Sequence, residues 1–112
     1  MIDEKTREQY RQAIELWSPE FQVMMLNEEM AELIIAVNKM MRLKSNNLNV
    51  IDEKRFDIVT EIADVKIMLE QMIVLFNISE VQLGAEYKNK LQKMQRMIEG
   101  PPDKQDSTKV KK

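Results

Sequence analysis

Five carboxylates stand at spacings that bring acids together on a helix: Glu28, Glu29 and Glu32 in LNEEMAELIIAVNKM, and Glu61 and Asp64 in EIADVKIMLEQM. Side chains three or four residues apart share one helical face, so each stretch presents a carboxylate pair on a single flank. With about 100° of rotation per residue, Phe21, Met25, Ala36 and Leu43 fall near one line, and Glu29 and Glu32 lie within roughly 40° of it. Glu28 sits at the edge of that stripe. In the second stretch Ile58, Ile62, Val65, Leu69, Met72 and Phe76 define an apolar face, with Glu61 on its shoulder and Asp64 one turn further along the same flank. Both pairs therefore border faces expected to be buried, where a solvated acid would not be placed. Like charges out of water repel, and each costs several kcal/mol, so something positive must meet them. The candidates are Lys or Arg from elsewhere, protons shared between carboxyls, or a divalent cation. An all-oxygen donor set suits Mg²⁺ or Mn²⁺ better than zinc. A single ExxE or ExxD is ordinary on a solvated helix; the combination on two neighbouring core-facing flanks is what points to metal.

Other chemistries are closed to this chain. It contains no Cys and no His, which removes thiolate nucleophiles, disulfides, the commonest general base and the usual zinc ligands. A di-iron carboxylate bundle is disfavoured, because its ExxH pairs cannot be formed. The formal net charge of −2 gives no basic field for a nucleic-acid polymer. No apolar run is long enough for a membrane span and the N-terminus MIDEKTREQY lacks the apolar core of a signal peptide, so a cytoplasmic location is the default.

The elements that position the acids follow from 112 residues with 44% hydrophobic and 32% charged content, two Gly, three Pro and no sustained alternation. That mix predicts one all-α domain, an antiparallel four-helix-type bundle over residues 1–100. DEKTREQYRQAIELW is a short first helix with Tyr10, Ile14 and Trp17 on one face. Ser18 caps a second helix, with Pro19 at its first position, running to about Lys44. SNNLNV interrupts, and Asp52 is the expected cap of a third helix from about Glu53 to Phe76, packed antiparallel on the second because the connection is short. Asn77 ends it. Ser79 with Gln82 has the capping-box pattern for a fourth helix, which Gly100 and two prolines stop. Residues 101–112 are expected to form a disordered tail.

With these residues placed, EExxE on one helix followed by ExxD on the next resembles the signature of the MazG-like all-α nucleoside triphosphate pyrophosphohydrolases, a superfamily that also includes dimeric dUTPases and phosphoribosyl-ATP pyrophosphohydrolase. The resemblance covers about residues 18 to 98, is strongest to the short single-domain type of phages and Gram-positive bacteria, and has 28 residues between Glu32 and Glu61, a long spacing for the pattern. It implies Mg²⁺-dependent cleavage of a (d)NTP between the α and β phosphates to a monophosphate and pyrophosphate, in control of the nucleotide pool. Glu29, Glu32, Glu61 and Asp64 match the metal-ligand positions. Glu28 matches the first motif glutamate, which would bind metal, orient water or serve structure; catalytic work falls to Glu28 and Glu29.

The triphosphate also needs cations, and Lys39, Arg42 and Lys44 on the second helix and Lys88 and Lys90 on the fourth are the candidates. Gln22, seven residues before Glu29 and on nearly the same face, is placed to read a base edge. Trp17 is the only tryptophan and stacks on a base or anchors packing. Apolar residues spread around more of the two central helices than one small bundle covers, including Leu33, Ile34, Ile35, Val37, Ile67 and Ile73. A homodimer is therefore expected, with a homotetramer as the alternative. Two other functions are left open: phosphoribosyl-ATP hydrolysis, which needs the same cradle, and a non-catalytic helical module binding a partner through its Met-rich face.

Overall fold

The computed structural model describes residues 1–100, all-α, as four helices: α1 (Glu4–Trp17), α2 (Pro19–Met41), α3 (Leu48–Leu75) and α4 (Glu80–Glu99). The tail expected at 101–112 lies outside the described residues. The chain forms two compact units, Met1–Ile78 with α1 to α3 and a second that begins at Ser79 and carries α4. No described helix is long and apolar enough to cross a membrane.

The helix ends follow local chemistry. Asp3 caps α1 by accepting from the Thr6 N–H at 2.8 Å. Ser18 is a one-residue junction: its N–H closes α1 on the Ile14 carbonyl at 2.9 Å, and its side-chain oxygen accepts from the Phe21 N–H at 3.2 Å to open α2. To serve both helices it adopts φ 86°, a region an L-residue occupies only at a cost. At the end of α3, Ile78 N–H reaches the Ile73 carbonyl and Asn77 N–H the Val74 carbonyl. This is a Schellman stop, and Asn77 takes the left-handed position at φ 52° that only Gly and Asn accept readily. In the second unit, Ser79 accepts from the Gln82 N–H at 3.1 Å to start α4, and Gly100 closes it.

Two expected boundaries move. α2 ends at Met41 rather than near Lys44, and α3 begins at Leu48, one turn and more before Glu53. The cap is Asn47, not Asp52: its side chain accepts from the N–H groups of Asn49 and Val50 at 2.8 and 3.4 Å, with Ser45 Oγ accepting from Asn47 N–H at 3.0 Å. Asp52 lies inside the helix, paired with Arg55.

The core of the first unit is the seam between α2 and α3. Among the sheltered positions, Gln22, Leu26, Glu29, Leu33, Ala36 and Met40 on α2 and Lys54, Ile58, Glu61, Val65, Met68, Met72 and Leu75 on α3 form one row each. Both rows recur at alternating steps of four and three, the spacing of a coiled-coil seam. The expected apolar faces are thus rotated. Phe21 on α2 and Ile62, Leu69 and Phe76 on α3 are exposed, while Gln22 and Glu61 turn inward. A hydrogen bond from the Gln22 side-chain N–H to Gln71 Oε1 ties the start of α2 to the end of α3, so the pair is antiparallel. Carried along the seam, that register sets Glu29 opposite Asp64 and Glu32 opposite Glu61. α1 lies against both helices through buried Tyr10, whose hydroxyl donates to Glu70 on α3 at 2.6 Å. Burial, then that bond, pushes the Tyr10 pKa up to about 12.

The Ser18 junction gives a stability test. Ser18→Ala should lower unfolding free energy by about 1 kcal/mol, because it removes the cap and keeps the positive φ. Ser18→Gly should lose only a few tenths of a kcal/mol at most, because it relieves the backbone while losing the cap. Urea denaturation of the two variants checks the order, and equal losses would contradict it.

Candidate metal centre

The middle of the seam is acidic where a coiled coil would place apolar side chains. Glu29 reaches it from α2, two turns past Gln22; Glu61 reaches it from α3; Glu32 closes the open side. One carboxylate oxygen from each of these three lies within 4.8 Å of the others. Asp64, the fourth expected ligand, is outside that tight group but adds its charge to both Glu29 and Glu61. Glu28 is exposed beside Glu29 and is not brought into the group.

The electrostatics agree with the register. Burial raises Glu29 from its ordinary 4.5 to about 7, followed by the charges of Asp64, Glu32 and Glu61. Glu61 is also raised, by burial first and then by Glu32, Asp64 and Asp57. The largest charge acting on Glu29 is that of the residue opposite it, and the same holds for Glu61. No ion pair among the described residues reaches Glu29, Glu32, Glu61 or Asp64, and Glu61 Oε1 is buried without a hydrogen-bond partner. Of the three ways to neutralise the acids, a Lys or Arg partner is absent among the described residues. Protons and a divalent cation stay open. The donor set is entirely hard oxygen and has an orphaned buried acceptor, so its chemistry fits Mg²⁺ or Mn²⁺. Glu29, Glu32 and Glu61 would hold the ion, with Asp64 beside them.

Two hollows flank the acids along the same seam. Toward the loop, a hollow of 210 Å³ is lined by Glu32, Ile35, Ala36, Lys39, Asp57, Thr60 and Glu61. Within the first unit, Lys39 is thereby the expected phosphate-binding cation brought to the acids. Arg42 caps α2 in an exposed position, and Lys88 belongs to α4 in the second unit. Toward the opposite end, a mainly apolar hollow of 400 Å³ is lined by Trp17, Phe21, Gln22, Met25, Met68 and Gln71. Trp17 and Gln22, expected to meet a base, share it. Asp57 and Gln71 escaped the sequence reading. Asp57 precedes Glu61 by one turn and Gln71 follows Asp64 by two, so the same periodicity that picked the acid pairs would have found both.

Comparison of the chain with protein-family models, with curated proteins and with solved structures gives no match.

The raised acids dictate a pH dependence. A carboxyl whose pKa is higher folded than unfolded contributes stability that is complete below the unfolded value and is lost as pH rises through the folded one. For Glu29 that window runs from 4.5 to about 7, and Glu61 acts in the same direction. In chelator, the melting temperature should therefore fall between about pH 4.5 and 7 relative to Glu29→Gln, and millimolar Mg²⁺ should remove the fall. Parallel melting profiles for the two proteins, unaffected by Mg²⁺, would refute this.

Proposed function

We propose that this chain is a Mg²⁺-dependent nucleoside triphosphate pyrophosphohydrolase that cleaves (d)NTPs to monophosphate and pyrophosphate. The observation that carries the reading is the trio Glu29, Glu32 and Glu61 within 4.8 Å, with Asp64 acting on it and no basic partner among the described residues. The resemblance of EExxE and ExxD to the MazG-like superfamily supports it from the sequence side. Mg²⁺ in such a site would offset charge on phosphate oxygens and make a water more acidic at neutral pH.

The chain's own residues divide the remaining work by their place along the seam. Lys39 lies at one side of the acids and gives three donors to the distal phosphates. Glu29, on the α2 side of the cluster, or Glu28, exposed beside it, takes the proton from the attacking water, a role for which carboxylates suffice in a chain without His. The hollow at Trp17 lies at the other side, where the nucleoside would extend. Glu61, sheltered in the seam, fixes the position of the acids and so of whatever they bind. The exposed Ile34, Ile35, Val37 and Met41 on α2 and Val59, Ile62 and Ile67 on α3 support a homo-oligomer, a dimer or a tetramer. A cytoplasmic setting accords with a free nucleotide substrate.

Incubation with a panel of (d)NTPs and phosphoribosyl-ATP, reading pyrophosphate and monophosphate, tests the proposal. Pyrophosphate should form only with Mg²⁺ or Mn²⁺, and Glu32→Gln and Asp64→Asn should each lower kcat by about 10² or more. Lys39→Ala should raise KM more than it lowers kcat. If no member of the panel yields pyrophosphate while Mg²⁺ leaves the melting temperature unchanged, the chain is a helical interaction module.

A further inference from the structure

The apolar hollow at the end of the seam has a polar floor that packing does not require. Gln22 and Gln71 are 3% and 5% exposed, the most buried polar side chains of the described residues. A buried amide pair stabilises a seam less than two aliphatic side chains of the same shape would. The two amides share one hydrogen bond, from the Gln22 side-chain N–H to Gln71 Oε1. Gln71 Nε2 has beyond this only a weak sulfur acceptor, Met68 Sδ at 3.8 Å, and Gln22 Oε1 receives no hydrogen bond among the described residues. One acceptor, Gln22 Oε1, and one donor, on Gln71 Nε2, are thus left on two residues that line the hollow. Trp17, 54% exposed, and Phe21, 44% exposed, stand at the rim as aromatic faces. Gln22 precedes Glu29 by seven residues, about 10 Å along the helix.

From this we infer that the Gln22–Gln71 pair reads the hydrogen-bonding edge of a nucleobase, resting on the nucleotide substrate proposed above, and reads it in either polarity. A side-chain amide presents a donor and an acceptor that exchange places when the group turns over. Turning both amides preserves their mutual bond in reverse and swaps the donor and acceptor on the floor. Uracil and guanine present a ring N–H donor next to an oxo acceptor; cytosine and adenine present an amino donor next to a ring-nitrogen acceptor. One floor therefore accepts both kinds, with stacking on Trp17 or Phe21 supplying contact independent of the base. The substrate class is that of nucleotides with an unmodified Watson–Crick edge, and an edge carrying a methyl group in place of the ring N–H is rejected.

Trp17 is the only tryptophan of the chain, so its fluorescence reports this hollow directly. Nucleoside 5′-monophosphates titrated into the full chain in chelator separate the base site from metal and from hydrolysis. UMP, CMP, AMP and GMP should quench Trp17 with affinities within about tenfold of one another, and N3-methyl-UMP should bind at least about tenfold more weakly than UMP. Gln71→Leu, checked for unchanged helicity, should lose the difference between UMP and its methylated form. Equal quenching by UMP and N3-methyl-UMP in the unaltered protein overturns the inference without any variant, as does the absence of quenching by every monophosphate. Quenching as described without pyrophosphate release from any triphosphate would leave the edge-reading floor standing and remove the hydrolase reading. Metal-dependent pyrophosphate release without quenching would do the reverse.

Discussion

The fold turns on the desolvation of acids in the α2–α3 seam. Glu29 and Glu61 occupy positions whose neighbours on the same rows are Leu26, Leu33, Ile58 and Val65, and their register sets carboxylates opposite carboxylates. Such a placement costs free energy in the bare chain, as the rise of Glu29 to about 7 records. The rest of the hairpin must hold the helices against it. Ala36, buried between the acids and the loop, lets the backbones approach, Met68 and Met72 fill the other half, and the Tyr10–Glu70 bond clamps α1 over the end. A structure that maintains repulsion at its centre by packing on either side is suited to a positive ligand there, because binding removes a cost already present.

Polar residues along one seam then acquire an order. From the open end toward the loop lie the amide floor at Gln22 and Gln71, the carboxylates at Glu29, Glu61 and Asp64, and the hollow holding Lys39. Under the function proposed above, that sequence of amide, acid and base is the order in which a nucleoside triphosphate would present base, scissile phosphate and distal phosphates. A single antiparallel register generates all three, since a slip by one residue would carry the acids off the seam. The amide pair marks that register at one end, and the six-residue connection from Arg42 to Asn47 sets it at the other.

Much of the architecture was legible where local chemistry decides it. Ser18, Asn77 and Ser79 act at helix ends through their own side chains or their tolerance of positive φ, and the sequence pattern names each. The acid pairs were legible because three-residue spacing on a helix holds whatever the tertiary context. The rotation of the seam was not. Ile62, Leu69 and Phe76 are more apolar than Glu61, Met68 and Gln71, yet the latter face α2; on helices whose apolar residues spread over more than one face, hydrophobicity cannot choose between them. The start of α3 was missed for a related reason, as SNNLNV offers several capping side chains and only the bonds of Asn47 single out one. Periodicity places Gln71 two turns after Asp64, but its pairing with Gln22 shows only once the residue across the seam is known.

The central claim is that these carboxylates await a divalent cation, and Mn²⁺ electron paramagnetic resonance tests it most directly. At neutral pH the sharp six-line signal of free Mn²⁺ should collapse when the protein is added, return on addition of excess Mg²⁺, and persist at nearly full amplitude with Glu61→Gln. A free-ion signal left undiminished by stoichiometric protein at neutral pH would contradict the account and leave the acids to share protons alone.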